Sequence, residues 1–271
     1  MDEGRLFGEN VDMSAEGTIA RHVREMCRIF RTHAQGETLG KIDALTLEEA
    51  YAVQDGFVAD RMITSGRIVG WKVGCTSAAI RRQFGLEQPI SGRLFEREIA
   101  SDGAELPLER YVDCAVEPEL VFRLGADLKG NITKRQAAQA IETIAVGIEL
   151  HNYRFWYGTP SSQELIASNG IHAGLIVGRE RPWSEQLDLP AETASLQVNG
   201  ATKASAPCSE IMGGPLRSVQ WLSEHAASRG LTLRAGELII PGSAVELISV
   251  REGDSIEARF STLGSCRARL I

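Results

Sequence analysis

The sequence predicts an α+β protein, in which a helical N-terminal segment precedes a mixed β-sheet core. After Gly66 the pattern changes from helical periodicity to short β-like runs that glycine separates. Helical stretches lie between these runs without regular alternation, which favours a mixed sheet over a doubly wound parallel one. With 271 residues and 43% hydrophobic content, the chain can bury a core of its own. We expect a flexible arm over 1–16, a helical segment over 17–66 and a mixed-sheet domain over 67–271.

The helices are predicted from apolar spacing and from residues that start helices. An amphipathic pattern predicts the first helix over 18–32. Helix-starting residues occur at four further places, namely Thr46, Ser77, Thr133 and Pro215. They predict helices over 46–58, 77–84, 133–142 and 215–230.

The strands are predicted from short apolar runs bounded by turn residues. These runs cover 67–74, 119–124, 143–150 and 174–178. The last part of the chain, 237–271, holds several further short strands, and the sequence EGD at 252–254 predicts a tight turn between two of them.

Composition excludes several classes of protein. The formal net charge is −7 and no basic cluster is present, which argues against a nucleic-acid partner. No window approaches the roughly 20 apolar residues that a membrane span needs, and the first residues lack a signal pattern. The five cysteines are scattered without metal-ligand spacing, so they are expected to be reduced core residues. A cytoplasmic protein without a membrane partner is therefore expected.

Three glutamates form the candidate metal site. Glu117 and Glu119 lie two apart in VEPELVF, so both side chains leave the same face of a strand. Two carboxylates side by side repel each other unless a cation lies between them, and Mg²⁺ prefers such oxygen ligands. Glu149 follows the apolar run IAVGI at the end of a predicted strand. The remaining coordination positions would suit a 2-oxo acid, although such a pair taken alone is usually a solvated face.

Two further features near these glutamates carry charge or aromatic character. Lys72 lies between Trp71 and Val73 in an apolar run, so it is expected to be semi-buried and paired, and to attract an anionic substrate. A basic-aromatic cluster follows Glu149 at 154–157. The cluster could line a pocket or form an oligomer contact, and the second is the commoner fate of such residues.

Several segments together resemble one known group of enzymes. They are GWKVGCTS, VEPELVF, GIELHNYR, ASNGIHAGLIVG and the ending WLSEHAASRGLTLRAGELIIPGS with VREGDSIEARFSTLGS. In this order, over roughly residues 40–271, they are similar to the 2-oxopent-4-enoate hydratase and 4-oxalocrotonate decarboxylase group of the fumarylacetoacetate hydrolase superfamily. The resemblance implies a mixed β-roll core and a homo-oligomer.

The resemblance also implies roles for individual residues. Glu117, Glu119 and Glu149 match the ligands of Mg²⁺ or Mn²⁺, and Lys72 matches the lysine that holds or activates the substrate. Ser243, in the PGS turn, would form the polar wall of the site. Leu94 and Phe95 are further expected substrate contacts.

The chain departs from the group at positions that are usually polar or acidic. These positions are Ile90, Asn152, Ser168 and Val245. His151 and His172 are new relative to the group's pattern, and histidine is the commonest acid/base near neutral pH. We therefore expect one or both to move the proton, with two satisfied structural histidines as the alternative.

The expected activity is that of a metal-dependent lyase of aromatic catabolism. As a hydratase it would add water to a 2-hydroxy-2,4-dienoate, the 2-oxo-4-enoate, and give a 4-hydroxy-2-oxo acid. One alternative is a decarboxylase of a 2-oxo-3-enedioate, which needs no water nucleophile. Another is a catalytically weak partner subunit of the same fold.

Overall fold

The computed structural model describes residues 15–33, 42–153 and 159–271. Its helices are α1 (Ala15–Thr32), α2 (Leu47–Ser65), α3 (Ala78–Gln83), α4 (Lys134–Ala140), α5 (Ser162–Ala167) and α6 (Pro215–Ser228). Most of the expected arm and the cluster Arg154, Phe155, Trp156 and Tyr157 lie outside the described residues. The last two residues of that arm, 15 and 16, belong to α1.

Fourteen strands are described. They are β1 (Ile68–Gly74), β2 (Ile90–Phe95), β3 (Ile99–Ser101), β4 (Ala104–Leu106), β5 (Cys114–Leu124), β6 (Ile141–Asn152), β7 (His172–Val177), β8 (Arg181–Pro182), β9 (Thr193–Val198), β10 (Ala201–Pro207), β11 (Leu238–Ile240), β12 (Ile248–Ser249), β13 (Ser255–Phe260) and β14 (Gly264–Leu270).

The capping residues start helices where the sequence predicts. Thr46 and Thr133 each form a complete capping box, and Ser77 accepts a hydrogen bond from the amide of Ile80. The helix after Thr133 ends two residues early, because Ile141 already has extended backbone and begins β6. No helix among the described residues is long and apolar enough to cross a bilayer.

The first sheet is mixed, as predicted. Its main strands follow the order β2-β1-β11-β5-β6-β7-β3. The β1–β11 and β7–β3 pairs are parallel, whereas β11–β5, β5–β6 and β6–β7 are antiparallel. The long β5–β6 ladder therefore lies at the centre of the sheet.

The two faces of the β5–β6 ladder have different chemistry because side chains alternate along a strand. Even-numbered residues, such as Leu120 and Ile148, are fully buried in the largest apolar cluster. That cluster also contains inward residues of the second sheet, whose order is β10-β9-β13-β14-β4. The odd-numbered residues face the other way, where Val121 and Ala145 join a small apolar cluster. The predicted site lies on this second face.

The helical segment packs near the same face. Residues of α1 and α2, among them Met26 and Phe57, share an apolar cluster with Ile90 of β2 and with Leu165 and Ile166 of α5. The amide of Gln54 donates to the carbonyls of Ser91 and Ile166, at 2.8 and 2.7 Å, which joins α2 to both neighbours.

Candidate metal centre

The register of the β5–β6 ladder brings Glu117 and Glu149 together. These two residues are directly opposite each other, and His151 lies opposite Ala115. Because Glu149 and His151 are two apart on β6, their side chains leave the same face as that of Glu117. Glu119, two residues further along β5, lies opposite Gly147.

Glu117, Glu149 and His151 form a compact ligand cluster. Within the described part of the chain, this is the group whose ligand atoms all lie within 4.8 Å of one another. His151 Nε2 is 3.2 Å from Glu117 Oε2 and 3.4 Å from Glu149 Oε2. Neither contact is a hydrogen bond. Glu149 Oε2 and both His151 ring nitrogens have no hydrogen-bond partner among the described residues. Buried polar atoms without partners fit a site for a cation.

Glu119 lies beside this cluster and is not a member of it. Its carboxylate is 1% exposed, and its Oε2 accepts a 3.2 Å hydrogen bond from the amide of Gly242. Its Oε1 has no partner among the described residues. Burial, together with the charges of Glu149 and Glu117, raises the pKa of Glu119 well above its usual value. A bound cation would counteract this shift, because its charge favours the ionised carboxylate.

Lys72 connects β1 to the ligand cluster. Its Nζ lies 2.9 Å from Glu149 Oε1 and donates a 3.1 Å hydrogen bond to the carbonyl of Gly170. Burial favours the neutral amine, but the charges of Glu149 and Glu117 outweigh it and raise the pKa of Lys72. Gly92 is opposite Lys72 on β2, and a Cβ there would lie 2.9 Å from Lys72 Cγ. The missing side chain of Gly92 therefore makes room for the lysine.

His172 occupies the other side of Glu149. Its Nδ1 is 2.7 Å from Glu149 Oε1, and its Nε2 is 4.0 Å from Glu98 Oε2. Burial lowers the pKa of His172 although Glu149 acts against this. Burial raises the pKa of Glu149, but Lys72 and the two histidines outweigh it and hold that pKa below its usual value. Glu149 is thus an anion with Oε1 already occupied by two partners.

The backbone before His172 is strained. Asn169, Gly170 and Ile171 have φ values of 61°, 61° and 54°, and a β-branched residue rarely adopts such a value. The buried amide of Asn169 fixes this segment, because it accepts from the backbone N–H of Arg93 and donates to the Arg93 carbonyl. The turn directs the Gly170 carbonyl at Lys72.

The other predicted site residues differ in their exposure and in their contacts. Ser243 is partly exposed and follows Gly242, whose amide binds Glu119, and its hydroxyl accepts from the amide of Val245. Leu94 and Phe95, the expected substrate contacts, are both 0% exposed and packed among other side chains. Leu94 lies in the small apolar cluster, and the ring of Phe95 lies 4.4 Å from the Arg61 guanidinium.

The residues that depart from the pattern of the resembled group are bonded or packed within the protein. Asn152 accepts from the amide of Val112, and Ser168 donates to the carbonyl of Leu165. Ile90 is 2% exposed in the apolar cluster of the helical segment. These side chains therefore support the backbone around the site.

Sequence reasoning missed Arg61 and Glu98. Arg61 donates to both carboxylate oxygens of Glu98 and to the carbonyl of His172. No local pattern indicates this contact, since 111 residues separate Arg61 from His172. It also missed α5, although Ser161 and Glu164 form a readable capping box.

Comparisons with known proteins agree on one family. Residues 89–271 match the fumarylacetoacetate (FAA) hydrolase C-terminal family. The chain is 33% identical over 224 residues to a 4-oxalocrotonate decarboxylase from Pseudomonas sp, covering 82% of this chain and 86% of the relative. It is 28% identical over 234 residues to 2-oxo-hept-4-ene-1,7-dioate hydratase from Escherichia coli, covering 84% and 88%.

A solved structure gives the same result. 4-Oxalocrotonate decarboxylase from Pseudomonas putida G7, complexed with magnesium and adipate, superposes with a TM-score of 0.88 at 27% sequence identity. The match covers 97% of this chain and 100% of that chain. Relatives of two reaction types, a hydratase and decarboxylases, thus resemble this chain over most of its length.

Proposed function

We propose that this chain, which belongs to the fumarylacetoacetate hydrolase family, is a divalent-metal-dependent lyase of the hydratase type. It adds water to a 2-hydroxy-2,4-dienoate, in its 2-oxo-4-enoate form, and gives a 4-hydroxy-2-oxo acid. The observation that carries the proposal is the convergence of buried carboxylates and Lys72 on one face of the β5–β6 ladder. The named hydratases among its relatives support the same reaction.

The carboxylates Glu117, Glu119 and Glu149 would hold Mg²⁺ or Mn²⁺. The unpartnered oxygens Glu119 Oε1 and Glu149 Oε2 support this, because an unpaired buried anion is otherwise costly. The ion, when bound, supplies Lewis-acid polarisation of the 2-oxo group. A 27% identical relative of the same fold is complexed with magnesium.

Lys72 would bind the substrate carboxylate. Three carboxylates and a divalent ion leave one net negative charge, which repels an anionic substrate, and the Lys72 ammonium cancels it. Two of its three N–H groups have partners among the described residues, Glu149 and Gly170, so the third is available to a substrate oxygen. Ser243 would add a hydrogen bond at the polar wall.

Proton transfer would fall to His172 or His151. Both are buried, at 1% and 2% exposed, so a proton held by either is shielded from bulk water. The Glu149 contact at 2.7 Å orients the His172 ring and fixes which nitrogen can face a substrate. Turnover by His172→Ala and by His151→Ala tests the two roles separately.

The decisive assay is loss of diene absorbance on a panel of 2-hydroxy-2,4-dienoates with Mg²⁺ or Mn²⁺. We expect turnover that a chelator abolishes and that Lys72→Met lowers by a factor of about 100 or more in kcat/KM. Lys72→Arg is the matched control, and it should recover little, because the planar guanidinium cannot occupy the place of a compact ammonium. A wild-type protein that binds metal but turns over no 2-oxo acid would refute the proposal.

Decarboxylation of a 2-oxo-3-enedioate is the second candidate. Its support is the 33% identity to a 4-oxalocrotonate decarboxylase and the TM-score of 0.88 to another. The apolar Ile90, where hydratases of the family carry a carboxylate, also suits a reaction that needs no water nucleophile. Release of carbon dioxide, measured beside diene loss on the same panel, separates the two reactions.

The remaining proposals concern the cellular setting. We place the enzyme in the cytoplasm, in the catabolism of aromatic compounds, as a homo-oligomer that acts on a small 2-oxo acid. Sedimentation analysis tests the oligomer. If activity appears only after a second protein is added, the chain is a catalytically weak partner subunit instead.

A further inference from the structure

We infer that His151 is a metal ligand, which makes this centre a mixed imidazole and carboxylate site that selects Mn²⁺ over Mg²⁺. The inference rests on the proposed function, because it assumes that Glu117 and Glu149 bind a divalent cation. It assigns His151 a task other than proton transfer and leaves His172 as the acid/base candidate.

The spacing of the side-chain atoms fits ligands of one ion. Adjacent ligands of an octahedral ion with metal–ligand distances near 2.1 Å lie about 3 Å apart. His151 Nε2 is 3.2 Å from Glu117 Oε2 and 3.4 Å from Glu149 Oε2. These two oxygens and this nitrogen therefore lie at nearly the separation that a shared ion imposes.

The hydrogen bonds around Glu149 leave one oxygen for the ion. Lys72 and His172 both contact Oε1, at 2.9 and 2.7 Å. Oε2 has no hydrogen-bond partner among the described residues, and it is the oxygen near His151. One oxygen of the carboxylate, Oε1, is thus bound by the protein, and the other, Oε2, faces the cluster without a hydrogen-bond partner.

A purely structural role does not account for His151. The residue is 2% exposed, and neither ring nitrogen has a hydrogen-bond partner in the described part of the chain. Buried histidines in a structural role normally have at least one such partner. His172 has one, at Glu149, so the two histidines differ although both are buried.

A nitrogen ligand changes the preference for metal. Mg²⁺ takes oxygen ligands, whereas imidazole suits the first-row transition ions. A site with only carboxylates would treat Mg²⁺ and Mn²⁺ more equally than a site with one imidazole. The position of His151 therefore predicts tighter binding of Mn²⁺.

The test is pulsed electron paramagnetic resonance of the wild-type protein loaded with Mn²⁺ alone. A coordinated imidazole gives ¹⁴N modulation, which should change when the protein is labelled with ¹⁵N-histidine. The modulation should be lost in His151→Gln, which keeps an oxygen donor of similar reach, and kept in the matched control His172→Gln. Since the wild-type spectrum needs no variant, poor folding of a variant leaves the inference testable.

Calorimetric titrations with each metal provide a second measurement. We expect His151→Gln to weaken Mn²⁺ binding by a factor of about 10 or more, and Mg²⁺ binding by less than about threefold. Stoichiometric Mn²⁺ without ¹⁴N modulation, or modulation lost only in His172→Gln, would overturn this inference and leave the proposed function intact. Failure of the wild type to bind either metal would overturn both.

Discussion

Replacing Arg61 should cost the protein a measurable part of its stability. The side chain is 1% exposed, and its Nη2 contacts both oxygens of Glu98 at 2.5 Å. The guanidinium also lies 4.5 Å from the ring of Phe30 and 4.4 Å from that of Phe95. Arg61→Met keeps much of the apolar stem but leaves the Glu98 carboxylate without its cation.

The magnitude follows from the burial of the two partners. Removal of one partner from a buried ion pair typically costs about 3–5 kcal/mol. The side chain of Glu98 is 14% exposed, so water can recover part of the lost solvation. We therefore expect a loss near the lower limit, about 3 kcal/mol in the free energy of unfolding.

Urea unfolding, followed by the fluorescence of the four tryptophans, measures this loss. All variants are compared at one protein concentration, because the proposed oligomer would gain stability by mass action. Glu98→Gln is the second variant. The loss in the double variant should be smaller than the sum of the two single losses by about 1–3 kcal/mol. A loss below about 1 kcal/mol in Arg61→Met, or strict additivity, would refute the assignment of a strong buried pair.

Three further predictions concern the site and its surroundings. Glu119→Gln should raise the melting temperature in chelator, because a neutral amide avoids the cost of burying an ionisable group beside Glu149 and Glu117, and should weaken Mg²⁺ binding. A lower melting temperature in chelator would contradict this. Gly92→Ala places a Cβ 2.9 Å from Asn169 Oδ1 and from Lys72 Cγ. It should therefore lower the free energy of unfolding, measured with urea, by about 1–3 kcal/mol, and lower kcat/KM. Burial, with Arg229 and Arg93, lowers the pKa of His225 to about 4, so the stability it contributes is full above pH 6.5 and is lost as the pH falls towards 4. We expect this loss to be about 2 kcal/mol after allowance for partial exposure, and His225→Gln should unfold with a flatter dependence on pH over that range.

The sequence allowed the shared face of Glu117 and Glu119 and much of the fold to be predicted, because both follow short-range rules. Residues two apart on a strand share a face, so their spacing alone predicts that Glu117 and Glu119 lie side by side. Capping boxes are contained within four residues, which is why Thr46 and Thr133 marked two helices correctly. The burial and pairing of Lys72 were predicted from its apolar neighbours in the sequence.

The rest depends on contacts between distant parts of the chain. All six residues of β2 are buried, so its pattern cannot tell which face lies near the site, and substrate contact by Leu94 and Phe95 stays a prediction. The Ala201–Pro207 strand was not predicted, since most of its residues are exposed and no apolar alternation marks it. The place of His151 beside Glu117 depends on the cross-strand register, which a single strand does not encode.

The alternation along β5 and β6 has a consequence for how this chain can diverge. Side chains for chemistry and side chains for the main core occupy successive positions, so loss or gain of one residue would turn every carboxylate towards the core. Point substitutions leave each side chain on its own face of the strand. We therefore expect mutational drift in these two strands to preserve their length, and insertions and deletions to be tolerated in the connections between strands.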